Sequence, residues 1–255
     1  MVAQNLGFDY IDTGAFYRCV TFAALSKGVD PSDPSSVEQL SDIANQANIK
    51  LQTVFADSMS SKGEPNIRNL LPTTRVFLDS KDVSSEIRTG YVSKHVSSVA
   101  AVGKVREAVL QKIRRIGATD IDPSAESSSD AKLNNKGLVM DGRDIGTVVL
   151  PHADLKIFLV ADSRVRAERR LQELVKSGAD PALEALDVKA VQRDLERRDE
   201  LDRTRKVSPL RKADDAMELD TSNLTIEGQV DLIVKEVERR RKSGNVTSTV
   251  PSARA

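Results

Sequence analysis

The apolar positions of this chain change period several times, and each change marks an element. Met1–Phe8 reads as the end of an amphipathic helix and Phe8–Ile11 as a short strand. From Gly14 to Ser26 the spacing is helical, with Phe16, Val20, Ala23, Ala24 and Leu25 on one broad stripe. Prolines and aspartates in Gly28–Pro34 break the pattern, and a second helix is expected near Ser35–Ala47. Short β-like runs at Ile49–Val54, Asn66–Leu70 and Arg75–Leu78, separated by Gly and Pro, suggest a small antiparallel appendage. Val99, Val102, Val105, Val109 and Ile113 then recur at steps of three and four, which predicts one long helix over about Ser97–Ile116.

Gly117–Gly137 is rich in Ser, Asp and Asn and has no period, so a surface loop is expected there. Beyond it, strands and helices alternate. Leu138–Met140 and Leu155–Val160 read as strands, and Ser163–Lys176 as a helix with Ser163 as its cap. An Arg/Asp/Glu-dense helical hairpin follows at Val188–Arg205, then a strand at Met217–Leu219 and a helix capped by Thr225. Residues 243–255 read as a disordered tail. Strand and helix in alternation with short links argue for an α/β fold, a parallel sheet covered by helices. Ligands of such sheets bind at the carboxyl ends of strands, here Asp12-Thr13-Gly14 and Asp141–Asp144.

Composition narrows the chemistry. The 38 Lys and Arg cancel the 38 Asp and Glu, so no global attraction to nucleic acid or anionic membrane is expected. A single cysteine, Cys19, excludes an internal disulfide framework, and with only His95 and His152 histidine-based metal chemistry is not expected. No apolar run reaches the roughly 18 residues of a membrane span, and no signal peptide opens the chain. A cytoplasmic monomer with small-molecule partners, and no nucleic acid or membrane partner, is the expectation. Phosphate recognition would then fall to local arginines.

Three segments could carry it. Asp141-Gly142-Arg143-Asp144 places two carboxylates and an arginine fork directly after a strand. A strand-end turn closed by an Arg–Asp ion pair would account for the same residues. Thr13, Tyr17 and Arg18 open a helix whose free amides could meet an anion, or Thr13 could simply cap it. Arg198, Asp202 and Arg205 share one helical face, as a lid over phosphates would need, or as a solvated ion-paired helix would show.

Taken together, Tyr10–Arg18, Asp82–Thr89, Val105–Val109, Asp141–Thr147, Arg198–Arg205 and Ser208-Pro209-Leu210 resemble the bacterial-type cytidylate kinase family over about residues 5–240. The resemblance implies a P-loop nucleoside monophosphate (NMP) kinase fold, a parallel sheet flanked by helices. Its core would be 1–29 and 137–242, with a short lid at about 177–210, an NMP-binding insertion at 30–125 and an extra polar loop at 117–136. It implies transfer of the ATP γ-phosphoryl group to CMP or dCMP, with Mg2+ accompanying ATP. Thr13, Tyr17, Arg18 and Arg143 would hold the CMP phosphate, with Arg88 in the same region. Ser97, Arg106 and Asp144 would read the cytosine edge, and Asp202 with Arg198 the ribose. Arg143, Arg205 and Asp141 are the catalytic candidates. Arg205 would reach the transferring group, and Asp141 would either orient hydrated magnesium or hold Arg143. Arg166, Arg170 and Arg205 are candidates for ATP.

The sequence departs from the family at one place. Members open with a strand and a Gly-rich loop ending in Gly-Lys, which this sequence lacks, and Gly103-Lys104 lies within a helical pattern. A chain begun at an internal Met, with the first strand and P-loop absent, is the expectation, and a CMP-binding protein without turnover is the alternative.

Overall fold

The computed structural model describes residues 1–54, 73–118, 137–177 and 187–243. The expectations for Asn66–Leu70, for the polar loop beyond residue 118, for the start of the lid and for the tail beyond 243 lie outside them. Helix α1 (Val2–Leu6) ends at Gly7 in the left-handed region, and strand β1 (Asp9–Asp12) follows. Helix α2 (Thr13–Ser26) is the centre of the core. Its Ala15, Phe16, Cys19, Val20 and Ala24 are all fully buried, at the three- and four-residue steps of one helix face.

A 3-10 turn at Pro34–Ser36 leads into α3 (Val37–Gln46). Then β2 (Ile49–Val54), β3 (Thr73–Leu78) and β4 (Lys81–Asp82) form the expected antiparallel appendage, Ile49 pairing with Leu78 and Phe77 with Asp82. The single long helix expected near Ser97–Ile116 is two helices, α4 (Gly90–Ala101) and α5 (Gly103–Ala118), broken at Val102. Val102 is extended, with φ −74° and ψ 114°, and its amide still reaches Val99 O. Helix α2 packs on α3 and α4, and α5 closes the core with buried Val105, Ala108, Val109 and Ile113.

Parallel pairing is borne out. β5 (Leu138–Asp141) runs beside β1, Asp9 opposite Leu138 and Asp12 opposite Asp141. β6 (Ile157–Val160) runs beside β7 (Met217–Asp220). Among the described residues these are two separate two-stranded ladders. Helix α6 (Ser163–Ser177) starts on Asp162, whose carboxylate accepts from the amides of Arg164 and Val165, so Asp162 and not Ser163 caps it. The acidic-basic segment is one helix, α7 (Val188–Thr204), and the hairpin is the one it makes with α6. Helix α8 (Ile226–Lys242) begins at Thr225 as expected, the hydroxyl accepting from the Gly228 amide. None of the described helices is long and apolar enough to cross a membrane.

Candidate active site

The register of β1 and β5 creates the floor of the site. Because Asp12 and Asp141 are paired residues at the ends of parallel neighbours, their carboxylates are brought side by side. Asp12 is partly occupied in capping α2, accepting from the Ala15 amide at 3.2 Å. The anion site expected at the start of α2 is therefore met by a carboxylate. The Thr13 hydroxyl is committed as well, donating to Asp141 O at 2.7 Å, so Thr13 latches α2 to the end of β5. This latch requires glycine at position 142, where a Cβ would lie 2.3 Å from Thr13 Oγ1.

The carboxyl pKa of Asp141 is pushed up to about 6, first by burial of the group and then by the charge of Asp12, against a hydrogen bond from Tyr10. The native state therefore holds this proton between about pH 4 and pH 6, where the unfolded chain has lost it. Stability falls as pH rises through that window, and above it the ionised pair is a standing cost. Solvent reduces that cost because Asp141 as a residue is exposed at the cleft floor. Asp141→Asn is expected to raise Tm at neutral pH, with the gain shrinking to nothing by about pH 4. Thermal melts across that range check the sign.

Above the floor, arginines converge. Arg18, one turn into α2, donates from Nη1 to Ser93 Oγ at 2.9 Å and to Ile87 O at 3.2 Å. These contacts, both made by Nη1, tie Arg18 to α4 and to the preceding 3-10 turn at Glu86–Arg88. Burial presses its pKa down to about 10, and the nearby Arg198, Arg170 and Arg88 press the same way. Arg198 is lowered for the same first reason, burial, with Arg143 and Arg170 adding to it. Arg88 is anchored to the appendage through Thr74 O and Ser84 O. Like charges held this close need an anion, and a phosphate matches the guanidinium fork.

Beside the cluster lies a cavity of about 440 Å³, with Leu110, Ile113, Val148 and Val149 among its apolar walls and Arg106 and Asp144 among its polar ones. Arg106 and Asp144 are 4% and 7% exposed and form a buried ion pair. Arg106 also donates to Ala100 O at 3.1 Å, a carbonyl at the break between α4 and α5. Its guanidinium stands 5.2 Å from the centre of the Tyr17 ring, and its Nε has no partner. Asp144 is pinned from behind by a single π-helical turn, Ile145–Val149, in which the amides of Thr147, Val148 and Val149 all point to Asp144 O. Such turns are frequent at functional sites.

The third wall comes from the end of α7. Asp202 Oδ2 accepts from Arg143 Nε at 3.2 Å and Asp202 Oδ1 from Arg205 Nη1 at 3.1 Å. Arg143 thus pairs with Asp202, and not with Asp141. Arg205 lies just past the helix, its side chain only 5% exposed, with Nη2 unpartnered.

Of the sequence-identified residues, Thr13, Tyr17, Arg106 and Asp144 line the cavity, Asp141 is tied to Thr13, Asp202 joins Arg143 to Arg205, and the charges of Arg88 and Arg198 act on Arg18. Others stand apart. Ser97 is half-buried on α4 and is not among the residues lining the cavity. Arg166 is held by Asp199 at 2.6 Å, a bridge between α6 and α7, and Arg170 pairs with Glu173 at 3.0 Å while its charge still acts on Arg18. Lys104 opens α5 and pairs with Glu38 on the surface, far from any phosphate-loop role. Sequence reading missed Ser93 and the Ala100 carbonyl, because nothing local marks a residue that only supports an arginine from another element, and it singled out Ser208 only as part of a motif, with no role.

Comparison with known proteins decides what this cleft belongs to. The family model for cytidylate kinase matches residues 1–239. The chain belongs to the cytidylate kinase family. It is 38% identical over 245 residues to the cytidylate kinase of Oceanobacillus iheyensis, covering 96% of this chain and 89% of that one. It is 40% identical over 242 residues to the cytidylate kinase of Limosilactobacillus fermentum, covering 95% and 89%. The Bacillus subtilis cytidylate kinase is 38% identical over 242 residues, covering 95% and 90%. The resemblance of the motifs to cytidylate kinases thus extends to nearly the whole chain, and kinase chemistry on nucleotides follows as the frame for the cleft.

Proposed function

We propose that this cytidylate kinase family member transfers the γ-phosphoryl group of ATP to CMP or dCMP, giving CDP or dCDP and ADP. The observation that carries this reading is the buried Arg106–Asp144 pair in an apolar cavity next to an arginine cluster. Cytosine presents carbonyl and ring-nitrogen acceptors beside an amino donor. An arginine with a free buried Nε next to a carboxylate is complementary to that edge, and adenine does not present the same one. The nucleotide phosphate would lie on Arg18 and Arg143, with Arg88 and Arg198 adding charge, and the ribose near Asp202. In the transfer, an oxygen of the CMP phosphate attacks the γ-phosphorus and the bond to the β-phosphate oxygen breaks. The protein's part is positioning and charge neutralisation.

Among the described residues no three His, Cys, Asp or Glu groups converge on one point. The neighbouring carboxylates of Asp12 and Asp141 suit a hydrated Mg2+ brought in by ATP, whose waters they would order. When bound, it neutralises charge on the β- and γ-phosphates. Of the groups proposed for ATP, Arg205 keeps a buried Nη2 without a partner, Arg170 is paired with Glu173 while its charge acts on Arg18, and Arg166 is engaged with Asp199. The reading of a CMP-binding protein without turnover draws no support from relatives that are each named as kinases.

Nucleoside diphosphate formation, followed with CMP, dCMP and AMP as acceptors, tests the proposal. A kcat/KM for CMP about 10²-fold or more above that for AMP is expected, in the range set by polar base contacts. Chelation of Mg2+ should stop the reaction. Equal rates on CMP and AMP would remove the cytosine assignment of Arg106 and Asp144.

A further inference from the structure

The turn that follows α7 contains a local anomaly. Ser208 has φ 50°, in the left-handed region that non-glycine residues rarely enter. It also precedes Pro209, and a following proline pushes a residue toward the extended region. Local preference therefore opposes this conformation twice, and strain of this kind persists where surrounding contacts over-determine it.

Those contacts all serve one side chain. The Ser208 carbonyl accepts from Arg205 Nε at 2.7 Å. The Leu210 amide, two residues on, closes the turn onto Asp202 O at 2.8 Å. Asp202 in turn takes Arg205 Nη1 on its carboxylate. Nε and Nη1 are thereby fixed, and Nη2 is left buried without a partner. Val207 and Ser208 themselves line the cavity. Burial, and next the charge of Arg106, lower the pKa of Arg205, so the guanidinium is held where it would not go unaided.

We propose that Ser208 is a positioning residue: its left-handed turn before Pro209 aims the free edge of Arg205 into the nucleotide cleft through the Ser208 carbonyl. The serine acts by its backbone, and its hydroxyl is dispensable. This deepens the kinase reading, on which the choice of CMP as probe rests, but the orientation of Arg205 can be measured without any turnover.

Ser208→Val disfavours the left-handed region most strongly, and Ser208→Thr does so more gently if the valine variant does not fold. Ser208→Gly permits the turn and should leave the hydrogen bond from Arg205 Nε to the residue-208 carbonyl in place. The first readout is hydrogen exchange of the Arg205 Nε–H, observed by nitrogen-15 NMR and identified by its loss in Arg205→Lys. Exchange should be at least about 10-fold faster in the valine or threonine variant and unchanged in the glycine variant, as for a buried hydrogen bond that has opened. The second readout is CMP affinity by calorimetry. It should weaken about 10-fold on Ser208→Val, but less than about 2-fold when the same change is made in Arg205→Lys, because residues acting as a unit are non-additive. Wild-type exchange in a folded Ser208→Val or Ser208→Thr protein would overturn the proposal. So would an equal affinity loss in both backgrounds, or a loss in Ser208→Gly that matches valine. If wild type binds no CMP, the kinase reading fails while the exchange measurement still decides what holds Arg205.

Discussion

Asp144→Ala is expected to cost about 3–5 kcal/mol of stability and to abolish the preference for CMP over AMP. The carboxylate and its partner Arg106 are both nearly out of contact with water. Removing Asp144 leaves a buried guanidinium with Ala100 O, the face of Tyr17 and an already unpartnered Nε. The desolvation of the arginine is then no longer offset by its counter-charge. The double replacement Arg106→Met with Asp144→Leu separates the two consequences. An apolar pair of similar volume should recover most of the lost stability, since a buried ion pair is costly to break but not to replace. Base selectivity should stay lost. Denaturant midpoints and kcat/KM on CMP and AMP read the two effects, and a wild-type midpoint for Asp144→Ala would refute the buried pair.

Arg18→Ala should divide stability from activity in the opposite way. A fall in kcat/KM for CMP of about 10²–10³-fold is expected, the size seen when one pre-organised electrostatic contact to a reacting group is removed. Stability should stay within about 1 kcal/mol of wild type. The lost hydrogen bonds to Ser93 and Ile87 O are set against relief of crowding with Arg198, Arg170 and Arg88. Arg18→Lys keeps the charge but not the fork, and should recover only part of the rate. Denaturant unfolding and steady-state kinetics on the two variants check both halves. A large stability loss in Arg18→Ala would mean that Arg18 serves the fold more than the ligand.

Much of the fold was legible because it depends on local pattern. The periodic stripe of α2, the alternation of strand and helix after residue 137 and the Thr225 cap are each set by neighbours within a few residues. The break between α4 and α5 was not legible, since Val99, Val102 and Val105 keep helical spacing straight across it. What pays for that break is distant: Arg106 takes the Ala100 carbonyl, and its other end pairs with Asp144 from beyond β5. Thr13 is a similar case. As a hydroxyl at a helix start it read as a cap or an anion contact, but the parallel strand brings Asp141 O within reach of it.

By itself the sequence determined the element types, the α/β class and the set of charged residues gathered at strand ends and on α7, since period and turn chemistry act over short range. The motifs also sufficed for the likeness to cytidylate kinases. Only the tertiary structure decided which charges are partners. Asp199 and Asp202 lie three residues apart on one helix, yet the first holds Arg166 of α6 and the second joins Arg143 to Arg205. Spacing cannot distinguish them, because an ion pair depends on what another element presents within a few ångströms, and on how much water remains between the charges.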